Sequence, residues 1–394
     1  MGKRRPKGDG WFIKNKDGTY TNKKVYKDAD GVPHTKSFRA KTKTEATNNR
    51  LKWEHNNAIA DHPEIIKSTP VVDYLWGWLD TYKKSSLSDS AYDNYSDCIK
   101  HRVEGYDIAH MQMNQLNTTI LQKHLNQLVD EGYSLATIQK TSNILNACFK
   151  KAVVLHDIRE NPMDGVEKPT ERVVKTKAKD IQFYPKSDVN LIFKEADRRF
   201  SNGKRVYHYG MAIVLMIYTG MRWEEAAGLK WKCVNFNDNF IKIENVVTRS
   251  KNREPNAKNK IKYTDSIPKT DSSKRTIILS KRARYALEQL HEKDKGHTCS
   301  EDYVIQTQNH GERVSERNVS RALHSIEKAA GTSVQGAGLH VLRHTFASLL
   351  IYKDVDIVTV SKLMGHSKPS VTANIYVGII EEQRTKAISK LDID

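Results

Sequence analysis

At 394 residues with 38% hydrophobic content, the chain is longer than one core usually serves, so two or three globular domains are expected. No apolar run approaches the roughly eighteen residues that a bilayer demands, and the basic N-terminal MGKRRPKGDGW has no apolar segment after it. A membrane span and a secretory leader are therefore not expected, and a cytoplasmic location is. The formal net charge of +18 asks for a polyanionic partner, and with no basic amphipathic anchor at either end nucleic acid fits better than a membrane surface.

The first sixty residues hold 15 Lys/Arg against 6 Asp/Glu, a net of +9 and half of the whole excess. Within them Gly10–Asn15, Tyr20–Lys27 and His34–Ala40 read as three short strands, with Asp17-Gly18 and Asp30-Gly31 as hairpin signals. A helix follows from Thr44, with Ala46, Leu51 and Trp53 as packing residues. Residues 1–65 thus read as a small basic sheet-plus-helix module. Its candidate DNA contacts are Arg4, Arg5, Lys23, Lys24, Lys36 and Arg39, with a merely solvated basic surface as the plain alternative.

His62-Pro63 and Thr69-Pro70 punctuate the chain before a helical, less basic texture over residues 70–165. Four helices fit, at about 70–84, 88–103, 117–131 and 134–155, with Gly132 as a stop between the last two. Residues 166–180, rich in Lys and Thr, read as a linker, and from 181 to 394 long helices mix with one strand cluster. Cys98, Cys148, Cys233 and Cys299 show no CxxC pairing and no His at zinc spacing, so neither a disulfide framework nor a structural zinc site is expected.

The chemistry gathers in this last region. The apolar helix YHYGMAIVLMIYTG stops at Gly220 and a second opens with Met221-Arg222-Trp223-Glu224-Glu225, so Arg222 stands at a helix start where its guanidinium and the local backbone N–H groups can serve one anion. Taken alone, such an Arg is more often a surface residue, with Glu225 one turn on as a simple ion-pair partner. Strands Ile261–Ile267 and Arg275–Leu279 flank Pro268 to Ser273, which puts Lys269 at the lip of a hairpin. His340 and Arg343 share one helical face, Gly365 ends a short helix just before His366, and Pro369 suits the first turn of the helix on which Tyr376 is expected. Each fragment alone is explained by core, cap or surface. The ordered set is far less common than any piece.

The segments TGMRWEEAAGL, HVLRHTFASLL and LMGHSKPSVTANIY resemble the conserved boxes of tyrosine recombinases, the lambda-type phage integrase family. The match covers roughly residues 180–394. Residues 70–165 look like that family's core-binding domain, and residues 1–65 are similar in layout to the arm-binding domains of phage and conjugative-transposon integrases. The implied fold is multidomain and mainly α, with a small N-terminal β-sheet-plus-helix domain, a helical core-binding domain and a mixed, mostly helical α+β catalytic domain. The resemblance places the family's catalytic residues on Arg222, Lys269, His340, Arg343, His366 and Tyr376, with Glu225 in support; Lys274 and Arg275 stand near enough to compete for the lysine's position.

What the resemblance implies agrees with phosphodiester chemistry. Arg222 and Arg343 would donate bidentate hydrogen bonds to the phosphoryl oxygens, which Lys cannot imitate. Tyr376 would attack phosphorus to leave a 3′-phosphotyrosyl link, His340 would take the phenolic proton, His366 would donate to the phosphate, and Lys269 would protonate the leaving 5′-oxygen. The covalent link conserves the bond energy, so neither metal, ATP nor another cofactor is expected. Implied partners are duplex DNA at core-type and arm-type sites and a homotetramer, with the amphipathic tail Ile379–Leu391 either joining neighbouring protomers or packing on its own domain. An excision factor and a DNA-bending host protein are further candidates. A type IB topoisomerase, a chromosome-dimer resolvase and a non-catalytic DNA-binding regulator are the rival readings; the basic N-terminal module and the complete catalytic series favour the integrase of a mobile element.

Overall fold

The computed structural model describes residues 11–27, 33–56, 69–171, 174, 181–257, 259–268, 273–293, 299–307 and 313–376. The chain divides into two units, residues 1–177 and 178–394. Among the described residues no helix is long and apolar enough to cross a membrane.

The first unit opens with an antiparallel meander of β1 (Trp11–Lys14), β2 (Tyr20–Lys27) and β3 (Pro33–Ala40), followed by α1 (Lys43–Asn56). Gly18 takes φ 80° in the first hairpin turn, and the Asp17 carboxylate accepts from the Thr19 hydroxyl at 2.8 Å. Helix α1 covers one face of the sheet, where the Trp53 ring lies 5.4 Å from both Tyr26 and Phe38. Because side chains alternate across a strand, the register sorts the predicted basic contacts. Lys23, paired with Trp11, and Arg39, paired with Thr21, lie on the face away from α1, beside exposed Trp11, Ile13 and Val25. Lys24 and Lys36 pair with each other on the α1 face, with the Lys36 ammonium 5.0 Å above the Trp53 ring. The four described candidates are thus divided between two faces. Arg4 and Arg5, and the turn at Asp30-Gly31, lie outside the described residues.

The rest of this unit is helical: α2 (Val71–Trp78), α3 (Asp89–Arg102), α4 (Thr118–Asp130) and α5 (Leu135–Val154). Ser88, Asn117 and Ser134 cap the last three, each side-chain oxygen accepting a backbone N–H of the first turn. Helix α2 continues to Lys83 as a wider π turn, in which the Lys84 N–H reaches the Leu79 carbonyl at 3.0 Å. Leu75, Leu79, Ile99, Leu121, Leu125, Leu128, Ile138, Leu145 and Phe149 are fully buried in one core.

In the second unit α6 (Lys186–Ala196) leads to α7 (Gly210–Thr219), whose residues Met211 to Ile217 are all buried. A helix apolar on every side belongs at the centre of a domain. After α8 (Trp223–Gly228) come β4 (Val234–Asn235), β5 (Phe240–Ile243), β6 (Val246–Lys251), β7 (Ile261–Ser266) and β8 (Arg275–Ile278). These form two sheets, ordered β4-β5-β8 and β6-β7, where one strand cluster was expected. The predicted hairpin between the last two strands is corrected as well: β7 pairs with β6, and β8 with β5. β7 and β8 therefore belong to different sheets. Buried Ile277 pairs with buried Ile241 of β5, whereas β7 has no fully buried side chain to offer it.

Helices α9 (Lys281–Lys293), α10 (Glu316–Ala330), α11 (His340–Ile351), α12 (Ile357–Met364) and α13 (Pro369–Ile375) complete the unit. Helix α7 packs on α6, α9, α10 and α11, which makes it the post around which the others stand. Tyr184 at the head of α6 is locked from within: its hydroxyl donates to the buried Glu327 carboxylate, and its backbone N–H donates to Thr345 Oγ1 at 2.9 Å. That bond ties the start of the unit to α11.

Candidate active site

Where α7 ends, Gly220 adopts φ 63°, and a Cβ added there would lie 2.3 Å from the Phe346 ring of α11. Only glycine fits, both for its left-handed backbone and for this close approach. The turn aims the Gly220 carbonyl at Arg343, whose Nη1 donates to it at 2.7 Å. Arg343 Nη2 donates to the Met364 carbonyl at 2.6 Å, at the end of α12. A guanidinium only 2% exposed is thus solvated by the C-terminal carbonyls of two helices, the negative ends of their dipoles. Burial, followed by the charge of Arg222, lowers its pKa to about 9, which leaves it cationic at neutral pH.

The end of α12 gathers two more arginines. Arg275 Nε donates to the Leu363 carbonyl at 2.9 Å, and Arg222 Nη2 reaches the Gly365 carbonyl at 3.4 Å. Three successive carbonyls, those of Leu363, Met364 and Gly365, therefore receive Arg275, Arg343 and Arg222 in turn. Consecutive Cα atoms lie about 3.8 Å apart, so the three cationic heads are held in one small volume. Gly365, with φ 68°, ends the helix and exposes these acceptors.

Glu225 is the counter-charge. Its carboxylate accepts Arg222 Nη1 at 2.9 Å and, from Arg275, Nη1 at 2.9 Å and Nη2 at 3.0 Å. It also accepts the Arg222 backbone N–H at 2.9 Å. Burial would raise its pKa, but the hydrogen bonds and charge of Arg275, with those of Arg222, outweigh it and hold the carboxyl below its ordinary value. This corrects one expectation: the Arg222 N–H at the start of α8 is not open to an anion, because Glu225 already occupies it.

On the other side of Arg343 lies Tyr376. It closes α13 as the residue after its last turn rather than lying within the helix, and it is 2% exposed among Ala347, Ile351, Val360 and Met364. Its hydroxyl meets His344 Nδ1 at 2.9 Å. Burial raises the phenol well above its ordinary value, against a smaller pull from Arg343, so the hydroxyl keeps its proton. Burial, then His340 and Arg343, depress His344 to about 4, which leaves the imidazole neutral.

His366 sits just past Gly365 with Nδ1 at 2.7 Å from the buried Thr372 hydroxyl. Burial, then Arg343, Arg222 and Arg275, depress it to about 4. In the tautomer whose Nδ1 accepts the Thr372 hydroxyl, the neutral ring carries its proton on Nε2, where it can be donated outward. His340 opens α11 with part of its side chain open to solvent, and the partial desolvation of its ring, followed by the charge of the neighbouring Arg343, lowers its pKa.

Arg222, Glu225, His340, Arg343, His366 and Tyr376 thus come together from α8, α11, α12 and α13. Lys269 lies outside the described residues. Of its two competitors, Lys274 is exposed, and Arg275 is committed to Glu225 and Leu363, a brace rather than a free acid. The contact expected of His340 with the tyrosine hydroxyl belongs to His344, one turn further along α11. Neither Arg275 nor His344 was given a role from the sequence. Strand alternation carried a signal for the first, since Arg275 shares a face with buried Ile277. His344 stood inside the HVLRHTFASLL segment, four residues from His340 on the same helical face.

Residues 182–382 match the phage integrase family. The chain is 24% identical over 384 residues to a tyrosine recombinase XerC-like protein of Caldanaerobacter subterraneus subsp. tengcongensis, covering 93% of this chain and 94% of that protein. Among solved structures it is similar to the Tn1549 transposon integrase in complex with transposon right end DNA. There the TM-score is 0.67 at 18% identity, over 82% of this chain and 100% of that one. It is also similar to a lambda integrase tetramer bound to a Holliday junction, with a TM-score of 0.55 at 17% identity, over 94% of this chain and 96% of that one.

Proposed function

The chain belongs to the phage integrase family, the tyrosine recombinases that cut and rejoin DNA at specific sites, and from that premise we propose which of its residues do what. The observation that carries the reading is the set of three arginines on the Leu363, Met364 and Gly365 carbonyls, beside a tyrosine hydroxyl held by a histidine. Arg222, its side chain 29% exposed, and His340 form the open rim of the site; Arg343 and Tyr376 form its floor. A scissile phosphate settles against Arg222 and Arg343, which neutralise the charge that grows on its non-bridging oxygens while Arg275 braces them through Glu225, and His366 adds the Nε2 proton as a further hydrogen bond. Tyr376 attacks phosphorus and forms a 3′-phosphotyrosyl link, and Lys269 protonates the departing 5′-oxygen. The covalent link stores the energy of the broken bond, so rejoining to a second strand needs no nucleotide hydrolysis.

The substrate is duplex DNA at the ends of a mobile element, which the enzyme integrates and also excises. The helical region clasps the core-type site, and the open face of β1–β3, with Lys23 and Arg39 among exposed apolar side chains, contacts arm-type sites. Four copies assemble on DNA through the tail beyond Tyr376, and an excision factor and a DNA-bending protein set direction. The reaction is tested by incubating the full chain with labelled duplex carrying the element's end. Covalent label is expected on the wild type and not on Tyr376→Phe; equal labelling of both would remove Tyr376 as nucleophile.

A further inference from the structure

A buried phenol that is to become a nucleophile needs somewhere to send its proton. The surroundings of Tyr376 are apolar, and among the described residues the single hydrogen-bond partner of its hydroxyl is His344 Nδ1, at 2.9 Å. We propose that His344 is a catalytic residue of this chain, one that holds the Tyr376 oxygen in place and receives its proton as that oxygen bonds to phosphorus. The inference rests on the reading of Tyr376 as the nucleophile.

Three features of the site support it. Nδ1 stands 2.9 Å from the Tyr376 oxygen, and in the tautomer protonated on Nε2 its lone pair accepts that hydroxyl, the state a proton acceptor requires. His344 directly follows Arg343 on α11, so the residue that would bind the phosphate and the residue that would take the proton are fixed on one helical turn. His340, the alternative acceptor, lies at the exposed start of α11 with its ring centroid 5.8 Å from that of His344.

The step balances without a further reactant. The Tyr376 oxygen bonds to phosphorus, the bond from phosphorus to the 5′-oxygen breaks, the phenolic proton passes to His344, and a separate acid protonates the 5′-oxygen. On rejoining, the 5′-hydroxyl gives its proton back to that acid as its oxygen bonds to phosphorus, the bond from phosphorus to the tyrosine oxygen breaks, and His344 returns its proton to the phenolate. An imidazolium beside Arg343 is unfavourable in an empty site, and the negative charge of a docked phosphodiester offsets the arginines. Proton transfer is thereby tied to the presence of DNA.

The test is single-turnover adduct formation by the full chain on a nicked duplex carrying the element's end. It compares the wild type, His344→Ala, and each of these with Tyr376→3,5-difluorotyrosine, whose phenol is a much stronger acid. His344→Ala is expected to slow cleavage by about 10²–10⁴-fold, the usual worth of a proton acceptor. The fluorinated phenol should recover at least about tenfold of that loss, while changing the wild-type rate far less. Rescue also reports that the variant is folded. A His344→Ala rate within about threefold of wild type, or a loss that the stronger acid leaves untouched, overturns the proposal. If the wild type itself forms no adduct, the reading of the function fails instead.

Discussion

Substituting Arg275 by Met removes four hydrogen bonds at once: two to Glu225 and one each to the Leu363 and Ser273 carbonyls. The side chains are 8% and 2% exposed, so the carboxylate cannot turn to water for compensation. Breaking one side of a buried ion pair costs about 3–5 kcal/mol, and because Glu225 keeps its two bonds to Arg222 the lower end applies, about 3 kcal/mol. For a unit of this size that corresponds to a fall of roughly 6–12 °C in the midpoint of thermal unfolding, followed by circular dichroism. The double variant Arg275→Met with Glu225→Leu removes both charges and should regain at least about half of the lost stability. Its DNA cleavage should stay low, because Arg222 has lost its brace. A single-variant loss under about 1 kcal/mol, or a double variant whose loss is the sum of the two singles, would refute the argument that one buried carboxylate organises both arginines.

Glu225 also predicts a pH dependence. Its folded-state pKa lies below the ordinary 4.5, so its contribution is complete above that value and lost as pH falls through the lower, folded value. The stability gap between wild type and Glu225→Gln, measured by denaturant unfolding, should be flat from neutral pH down to about 5 and shrink below it. Thr372→Val keeps the shape of the side chain but removes the hydroxyl that fixes His366 Nδ1, and cleavage should drop by about tenfold with stability changed by no more than about 1 kcal/mol. In the N-terminal module, Lys23→Ala should reduce the salt slope of binding to arm-site duplex by about 1, and Lys36→Ala should change it less because that ammonium rests on Trp53.

Much of this architecture is written locally in the chain. Ser88, Asn117, Ser134 and Asp356 cap their helices through their own side chains, and Gly220 and Gly365 end theirs in a left-handed turn, so those boundaries are readable from neighbouring residues. The order of Arg222, His340, Arg343, His366 and Tyr376 is likewise visible before any folding is known. Strand partnership is not local. Nothing within residues 261–279 reveals that β7 turns back to β6 while β8 crosses to β5, and the expected hairpin around Lys269 failed for that reason. The same limit hid His344: His340 and His344 share a helical face, and which of them meets the tyrosine depends on where α13 docks. The brace made by Arg275 required knowing that β8 and the end of α12 face one another.

The account turns on Arg222 and Arg343 acting on the charge of the phosphate that Tyr376 attacks. The most direct measurement replaces one non-bridging oxygen of the scissile phosphate by a methyl group, giving an uncharged linkage, and compares adduct formation by the wild type, Arg222→Ala and Arg343→Ala. Both variants should be severely impaired, by about 10²-fold or more, on the ordinary phosphodiester and largely restored on the neutral linkage, where little charge remains to be offset. Equal impairment on both substrates would mean that the arginines serve some other purpose, and the central claim would be wrong.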